Sequence, residues 1–250
     1  MRIILFLLFL ISVNFISQNI YSQIQDSSSG WSGLISSEGL YQSGNTSKFF
    51  VQGKGEIKRD RDNLETMLNA SIGYGESKGK KDDNSLSSAF TADFFYKNTF
   101  SPFVIQYVEY SFAKGIDIRS QTGAGIKYLF IKAPENKSSV SLAFIYDYTN
   151  LISKPGNYNS SILRLSFRLK TKQKIFQSKV IFGFTGFYQP SITDFSASNI
   201  RIETNLEIPV VYGIFARVNY LYSFEDVVST GRKRLDNKLT FGFGIGFGER

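Results

Sequence analysis

The sequence predicts an all-β protein, an antiparallel up-and-down transmembrane β-barrel of about twelve strands behind an N-terminal signal peptide. Three observations predict it. The 250-residue chain is 16% aromatic, with 24 Phe and 14 Tyr but no His and no Cys, a composition that suits strands and not a helical bundle. Apolar and polar residues alternate with period two over runs longer than the roughly 5–6 residues usual in soluble sheets. Turn-forming residues break these runs at steady intervals.

The N-terminus sets the destination. Met1 and Arg2 form a short positive region, Ile3 to Val13 is almost unbroken apolar sequence, and small residues follow at Ser17 and Ser22. Asn14, Ser17, Gln18 and Asn19 interrupt the run well short of the roughly 20 residues of a membrane-spanning helix, so it reads as a secretory signal peptide. Residues 1–22 are the expected signal peptide, cleaved after Ser22 on export through the Sec pathway. Residues 23–30 are a short linker, and residues 31–250 the barrel domain. Loss of Arg2 leaves 28 basic against 21 acidic residues, a formal charge of +7. Without Cys there is no disulfide framework, so stability must come from packing or from a membrane.

The strands follow in order. Gly33 to Gln42 is only weakly patterned. Leu64, Thr66, Leu68, Ala70, Ile72 and Tyr74 then alternate with Glu65, Met67, Asn69, Ser71, Gly73 and Gly75. Phe90, Ala92 and Phe94 alternate with Ala89, Thr91 and Asp93. Phe100 to Phe112 is apolar on both phases and its outward face cannot be assigned. Val140, Leu142, Phe144, Tyr146 and Tyr148 oppose Ser139, Ser141, Ala143 and Asp147. Leu163, Leu165, Phe167 and Leu169 oppose Arg164, Ser166, Arg168 and Lys170, and Ile200, Ile202, Leu206 and Ile208 oppose Arg201, Glu203, Asn205 and Glu207. The cleanest case is the last, where Leu239, Phe241, Phe243, Ile245 and Phe247 oppose Lys238, Thr240, Gly242, Gly244 and Gly246.

Breaks are expected at Ser43-Gly44-Asn45, Arg59–Asn63, a longer polar loop Ser77–Asn84, Lys97–Thr99, Lys114-Gly115, Ala133–Lys137, Lys154–Asn157, Thr171–Lys174, Gln189–Asp194, Pro209 and Ser229–Arg234. Most on one side are short and most on the other longer, the asymmetry of outer-membrane barrels. Aromatics near the run ends (Phe94, Phe95 and Tyr96; Tyr146 and Tyr148; Phe187 and Tyr188; Tyr220, Tyr222 and Phe224) would form two girdles at headgroup depth. A soluble exported β-sandwich that binds a ligand is the remoter alternative.

Several stretches carry a resemblance. Gly30-Trp31-Ser32-Gly33, Ser43-Gly44-Asn45-Thr46-Ser47, Ile116-Asp117-Ile118-Arg119, Gly123-Ala124-Gly125-Ile126-Lys127-Tyr128 and the glycine-alternating last strand resemble the salt-induced outer-membrane protein family, a YdiY-like domain family of unknown function. The resemblance covers the chain from Trp31 onward. It implies an outer-membrane barrel of a Gram-negative bacterium, of the salt- or envelope-stress-induced type, and carries over no catalytic residue. The sequence departs from common barrel practice by ending in Gly248-Glu249-Arg250 after Phe247.

No constellation points to catalysis. The chain lacks the side chain most used for acid/base work near neutral pH. Glu203 and Glu207 lie four apart on one strand, roughly 13 Å at about 3.3 Å per residue, too far for a glycosidase pair. Asp82-Asp83-Asn84 lacks the spacing of a calcium loop. No enzyme activity, cofactor or metal is therefore expected.

What remains is charge on the inward phase. The candidate lumen-lining residues are Lys54, Glu56, Asp93, Arg119, Lys127, Asp147, Arg164, Arg168, Lys179, Arg201, Glu203, Arg217 and Lys238, with Lys48, Lys58, Glu65, Asp117 and Glu207 on the same phase. Either they make a basic lumen that passes small anions, with reversal of Arg164 and Arg168 inverting the preference, or they pair across the lumen and plug it. A barrel of about twelve strands lies between filled barrels and open porins, and the narrow or plugged state is favoured slightly. The expected partners are outer-membrane lipid and the barrel-assembly machinery, with small anions as possible solutes and no nucleic acid. A monomer is expected.

Overall fold

The structure is a computed structural model that describes residues 30–42, 48–133, 136–153, 156–177, 179–211 and 213–248. The signal peptide, most of the linker, the Ser43–Ser47 hairpin, the Pro134 turn and the Glu249-Arg250 end lie outside the described residues. Twelve strands follow in chain order: β1 Trp31–Gln42, β2 Lys48–Arg61, β3 Leu64–Ser77, β4 Lys80–Phe94, β5 Phe100–Ser111, β6 Ile116–Lys132, β7 Asn136–Ser153, β8 Gly156–Ile175, β9 Val180–Pro190, β10 Ser198–Val211, β11 Ile214–Phe224 and β12 Leu235–Phe247. Each pairs antiparallel with its sequence neighbours, and β1 pairs with β12 to close a barrel. Closure leaves no edge strand with unpaired backbone groups.

The outside is apolar. Leu68, Ile72, Phe90, Leu142, Phe144, Leu163, Phe167, Leu239 and Phe241 all face outward and are exposed, and Phe243 is 66% exposed. Their neighbours in sequence (Ser141, Arg164, Ser166, Thr240) are buried. A soluble sheet would bury the apolar phase, so this inversion is the signature of a wall that faces lipid. Outward aromatics gather toward both rims. Trp31, Phe94, Phe100 and Tyr128 lie at the rim that carries both described ends of the chain, with Arg59 over the Trp31 ring and Phe100 stacked on Tyr128 at 4.8 Å. Tyr41, Phe49, Tyr74, Tyr188 and Tyr220 lie toward the far rim.

Several sequence expectations need correction. Ser77–Asn84 is not a loop: β3 and β4 are joined by the two-residue turn Lys78-Gly79, both at positive φ. Its charged residues stay in strand because the hairpin keeps pairing at the far rim, where polar groups suit either face. Thr171–Lys174 lies inside β8, with the reversal at 176–179. Pro209 does not end β10 but marks a register shift before Val211, since a proline that cannot donate to the ladder fits at an irregularity. Connections at the terminal rim run from two to five residues, and at the far rim only 191–197 and 225–234 are longer. The loop asymmetry therefore rests on two connections.

Pairing also resolves β5. Asp93 faces Phe103 and Thr91 faces Ile105, which turns Phe103, Ile105 and Tyr107 inward and Val104, Val108 and Tyr110 outward. Phe103 packs in the lumen with Ala143 and Ile145, against Ile105. Opposite it on β6, a Cβ at Gly125 would collide with the Leu142 carbonyl, so only glycine leaves room there. On β12, a side chain at Gly244 would strike the ring of inward-facing Phe215.

Candidate functional site

Among the described residues, buried polar and charged side chains collect in the lumen. Strand pairing places Lys54, Glu56, Asp93, Arg119, Lys127, Asp147, Arg164, Arg168, Arg201, Glu203, Arg217 and Lys238 on the inward phase. Lys179 is the exception. It lies in the 176–179 reversal, where its amide donates to the Phe176 carbonyl, and it is exposed. Asp117 also leaves the inward set, because a register shift between Ile116 and Ile118 puts it, exposed, in the Asn150 amide's reach. Among the aromatics assigned to girdles, Phe187 points inward instead, opposite Arg168 and Arg201.

Most of the inward bases meet carboxylates. Toward the far rim, Arg119 pairs with Glu109 (3.3 Å), Glu225 (2.8 Å) and Asp147 (3.8 Å). Arg164 bridges Asp147 and Asp226, each at 2.9 Å. Lys114 holds Glu109 (3.1 Å) and Glu225 (2.8 Å). Thr149 and Gln121 complete the shell of Asp147. Across the lumen, Lys54 from β2 pairs with Glu203 of β10 (3.0 Å) and Glu38 of β1 (3.6 Å), and Arg217 lies 3.4 Å from Glu38. Lys238 meets Asp83 at 2.9 Å. Nearer the terminal rim, Lys127 pairs with Asp93 (2.6 Å) and Lys58 with Asp60 (2.9 Å) and Glu65 (3.3 Å).

Glu225 and Asp226 come from a connection and not from a strand. The 225–234 segment folds over the far mouth and is held there by more than charge: the Asp226 amide donates to Asn199 Oδ1 (3.1 Å), the Ser229 hydroxyl to the Ile152 carbonyl, and the Ser229 amide to the Lys114 carbonyl. Burial opposes ionisation of Glu225, but Lys114 and Arg119 outweigh it and hold the carboxyl at about 2. The loop is thus tethered in its charged form.

The sequence reading missed Glu38, Glu109, Lys114, Glu225 and Asp226. Glu38 shares its phase with Ser32 and Ser36, a period-two signal present in the weakly patterned β1. Glu109 lay in the strand whose faces were ambiguous. Lys114, Glu225 and Asp226 sit in turns, which carry no phase, and nothing local points them inward.

A family model described as "Protein of unknown function, DUF481" matches residues 39–247. The chain belongs to this family. No curated protein matches the sequence. Among solved structures, the NanC porin is similar at a TM-score of 0.52 and 14% identity, over 86% of this chain and 98% of that one. The translocator domain of autotransporter NalP from Neisseria meningitidis scores 0.43 at 13% identity, over 92% of each chain. The KdgM porin scores 0.47 at 10% identity, over 86% of this chain and 99% of that one. The NanC likeness shows the fold: this DUF481 member is a closed twelve-stranded antiparallel barrel of the kind that porin has.

Proposed function

We propose that this DUF481 protein is a non-enzymatic outer-membrane barrel, exported through the Sec pathway, whose lumen is kept narrow by ion pairs and capped by its last connection. Both described ends lie at one rim, which is the periplasmic one in this reading, so the 225–234 segment covers the outer mouth. The observation that carries the proposal is the reach of Glu225 and Asp226 into the wall cations Arg119 and Arg164. Breaking such a buried pair on one side leaves an uncompensated charge, so the cap is cooperative with its wall.

A second reading, a small-anion channel, is favoured by Arg168, an inward cation outside the ion-pair network. The two readings are separable. Folded protein in a planar bilayer should conduct weakly, and Glu225→Gln with Asp226→Asn should raise conductance several-fold by freeing the cap. A wild-type protein that already conducts steadily through a wide pore overturns the capped reading. For selectivity, Arg164 is the wrong residue to reverse. It is 1% exposed and bound to two carboxylates, so an acid there would place three together. Reversal of Arg168 alone is the informative change. A silent bilayer even with the cap released favours a structural role in envelope stress.

A further inference from the structure

Arg168 differs from the other inward arginines. Arg119, Arg164, Arg201 and Arg217 each have a carboxylate partner. Among the described residues Arg168 has none, because the nearby Asp93 is taken by Lys127 at 2.6 Å. Its Nε donates to Ser141 Oγ at 3.0 Å, and its two terminal nitrogens make no hydrogen bond to any described residue. A guanidinium removed from bulk water without an acceptor on its outer edge is costly. Here that edge opens on a cavity.

The cavity measures about 30 Å³; Arg168, Gln121, Gln189, Ser141 and Ser166 form its polar side, and Phe103, Phe187 and further apolar and aromatic side chains line the rest. The Arg168 carbon centre lies over the Phe103 ring at 5.3 Å and 6.0 Å from that of Phe187. Rings over the guanidinium plane fix its orientation and leave its in-plane N–H groups as the polar face. Gln121 and Gln189 each spend one N–H, on Asp147 and Ser166, and keep a second. The Ser141 hydroxyl accepts from Arg168 and still has its own proton to donate. The polar side of the site thus offers several unspent donors beside the guanidinium, with the amide oxygens of Gln121 and Gln189 as its acceptors. Since one water needs roughly 10–15 Å³, the space fits about two waters or one carboxylate group.

We propose that Arg168 heads a binding site for a single small planar oxyanion, a carboxylate above all, within the lumen. The fork of terminal N–H groups matches the two oxygens of a carboxylate, and the amide and hydroxyl donors complete the shell. Lys170, two residues along the same face toward the terminal rim, is exposed and adds positive potential to the approach. This rests on the lumen reading above only in taking the cavity wall as the inner face of a barrel, and binding needs no conduction.

The test uses the folded full chain in detergent micelles with ¹⁵N-labelled arginine, titrated with sodium formate in place of sodium chloride at constant ionic strength. One arginine Nε signal should shift saturably, and that signal should be the one missing from Arg168→Lys. The Arg164 and Arg119 signals should stay in place. Folding of the variant is checked by its altered gel migration before boiling. A shift that does not saturate, that moves all arginines together, or that survives in Arg168→Lys overturns the site. Bilayer recordings report separately: a silent bilayer with a saturable formate shift keeps the site and removes the channel, whereas conduction without the shift removes only the site.

Discussion

Arg164 heads the largest side chains that the barrel buries completely. Besides Asp147 and Asp226 it donates to the carbonyls of Gln189 (3.1 Å) and Ala197 (3.3 Å), so one guanidinium ties β7, β9, the 191–197 connection and the cap together. Arg164→Met should cost about 3–5 kcal/mol, because it strands buried carboxylates, and urea titrations in lipid vesicles would measure it. On the outer wall, Phe243→Arg should cost about 2–4 kcal/mol if the position lies near the bilayer midplane. The natural inward comparison on the same strand, Thr240, is a poor one. It is 1% exposed and donates to Glu38 at 2.7 Å, so an arginine has no room there. Thr185, inward, half-buried and facing Glu203, should accept arginine at smaller cost in the same titration. Equal cost at Phe243 and Thr185 would contradict the assignment of lipid and lumen faces.

At the scale of elements, the proposed cap is the 225–234 connection, tied to the wall through Glu225 and Asp226. Its pH response follows from Glu225. The folded carboxyl titrates at about 2, below its ordinary 4.5, so its contribution to the closed state is fully present above about 4.5 and is lost as pH falls toward 2. Channel openings in a bilayer should thus be rare at pH 7 and become frequent only below about pH 4. In Glu225→Gln they should be frequent already at pH 7, with the acid response flattened; an unchanged acid response in that variant would assign the tether elsewhere. The strand elements were legible because period two is a local property. The β3–β4 turn was misjudged because SKGKKDDN is polar on both phases, and polarity at a rim distinguishes neither loop from strand nor lumen from water.

For the whole molecule, closure of β1 on β12 is the decisive step. Gly242 lies opposite Glu38 across that seam, where any Cβ would run into the Ser37 carbonyl. The barrel, once closed, has no edge at which unfolding can begin cheaply. Unboiled protein should therefore migrate differently from boiled protein on semi-native gels, and it should fractionate with the outer membrane. Recovery from the soluble periplasm without detergent would contradict the barrel in its native setting.

The sequence by itself determined the strand count, the class of fold and which phase of most strands meets lipid, because alternation is written into consecutive residues and survives any register. It left β5 undecided, since its apolar residues occupy both phases and only the facing Asp93 and Gly125 show which phase is inside. It named most of the lumen charges but not their partners. Lys54 and Glu203 are 149 positions apart, and Arg119 and Glu225 are 106 apart, and such pairs meet only when strand tilt and stagger are set by closure. Which of the lumen charges meet, and which of them, like Arg168, meet no carboxylate among the described residues, is a property of the closed barrel, which is why only the tertiary structure shows it.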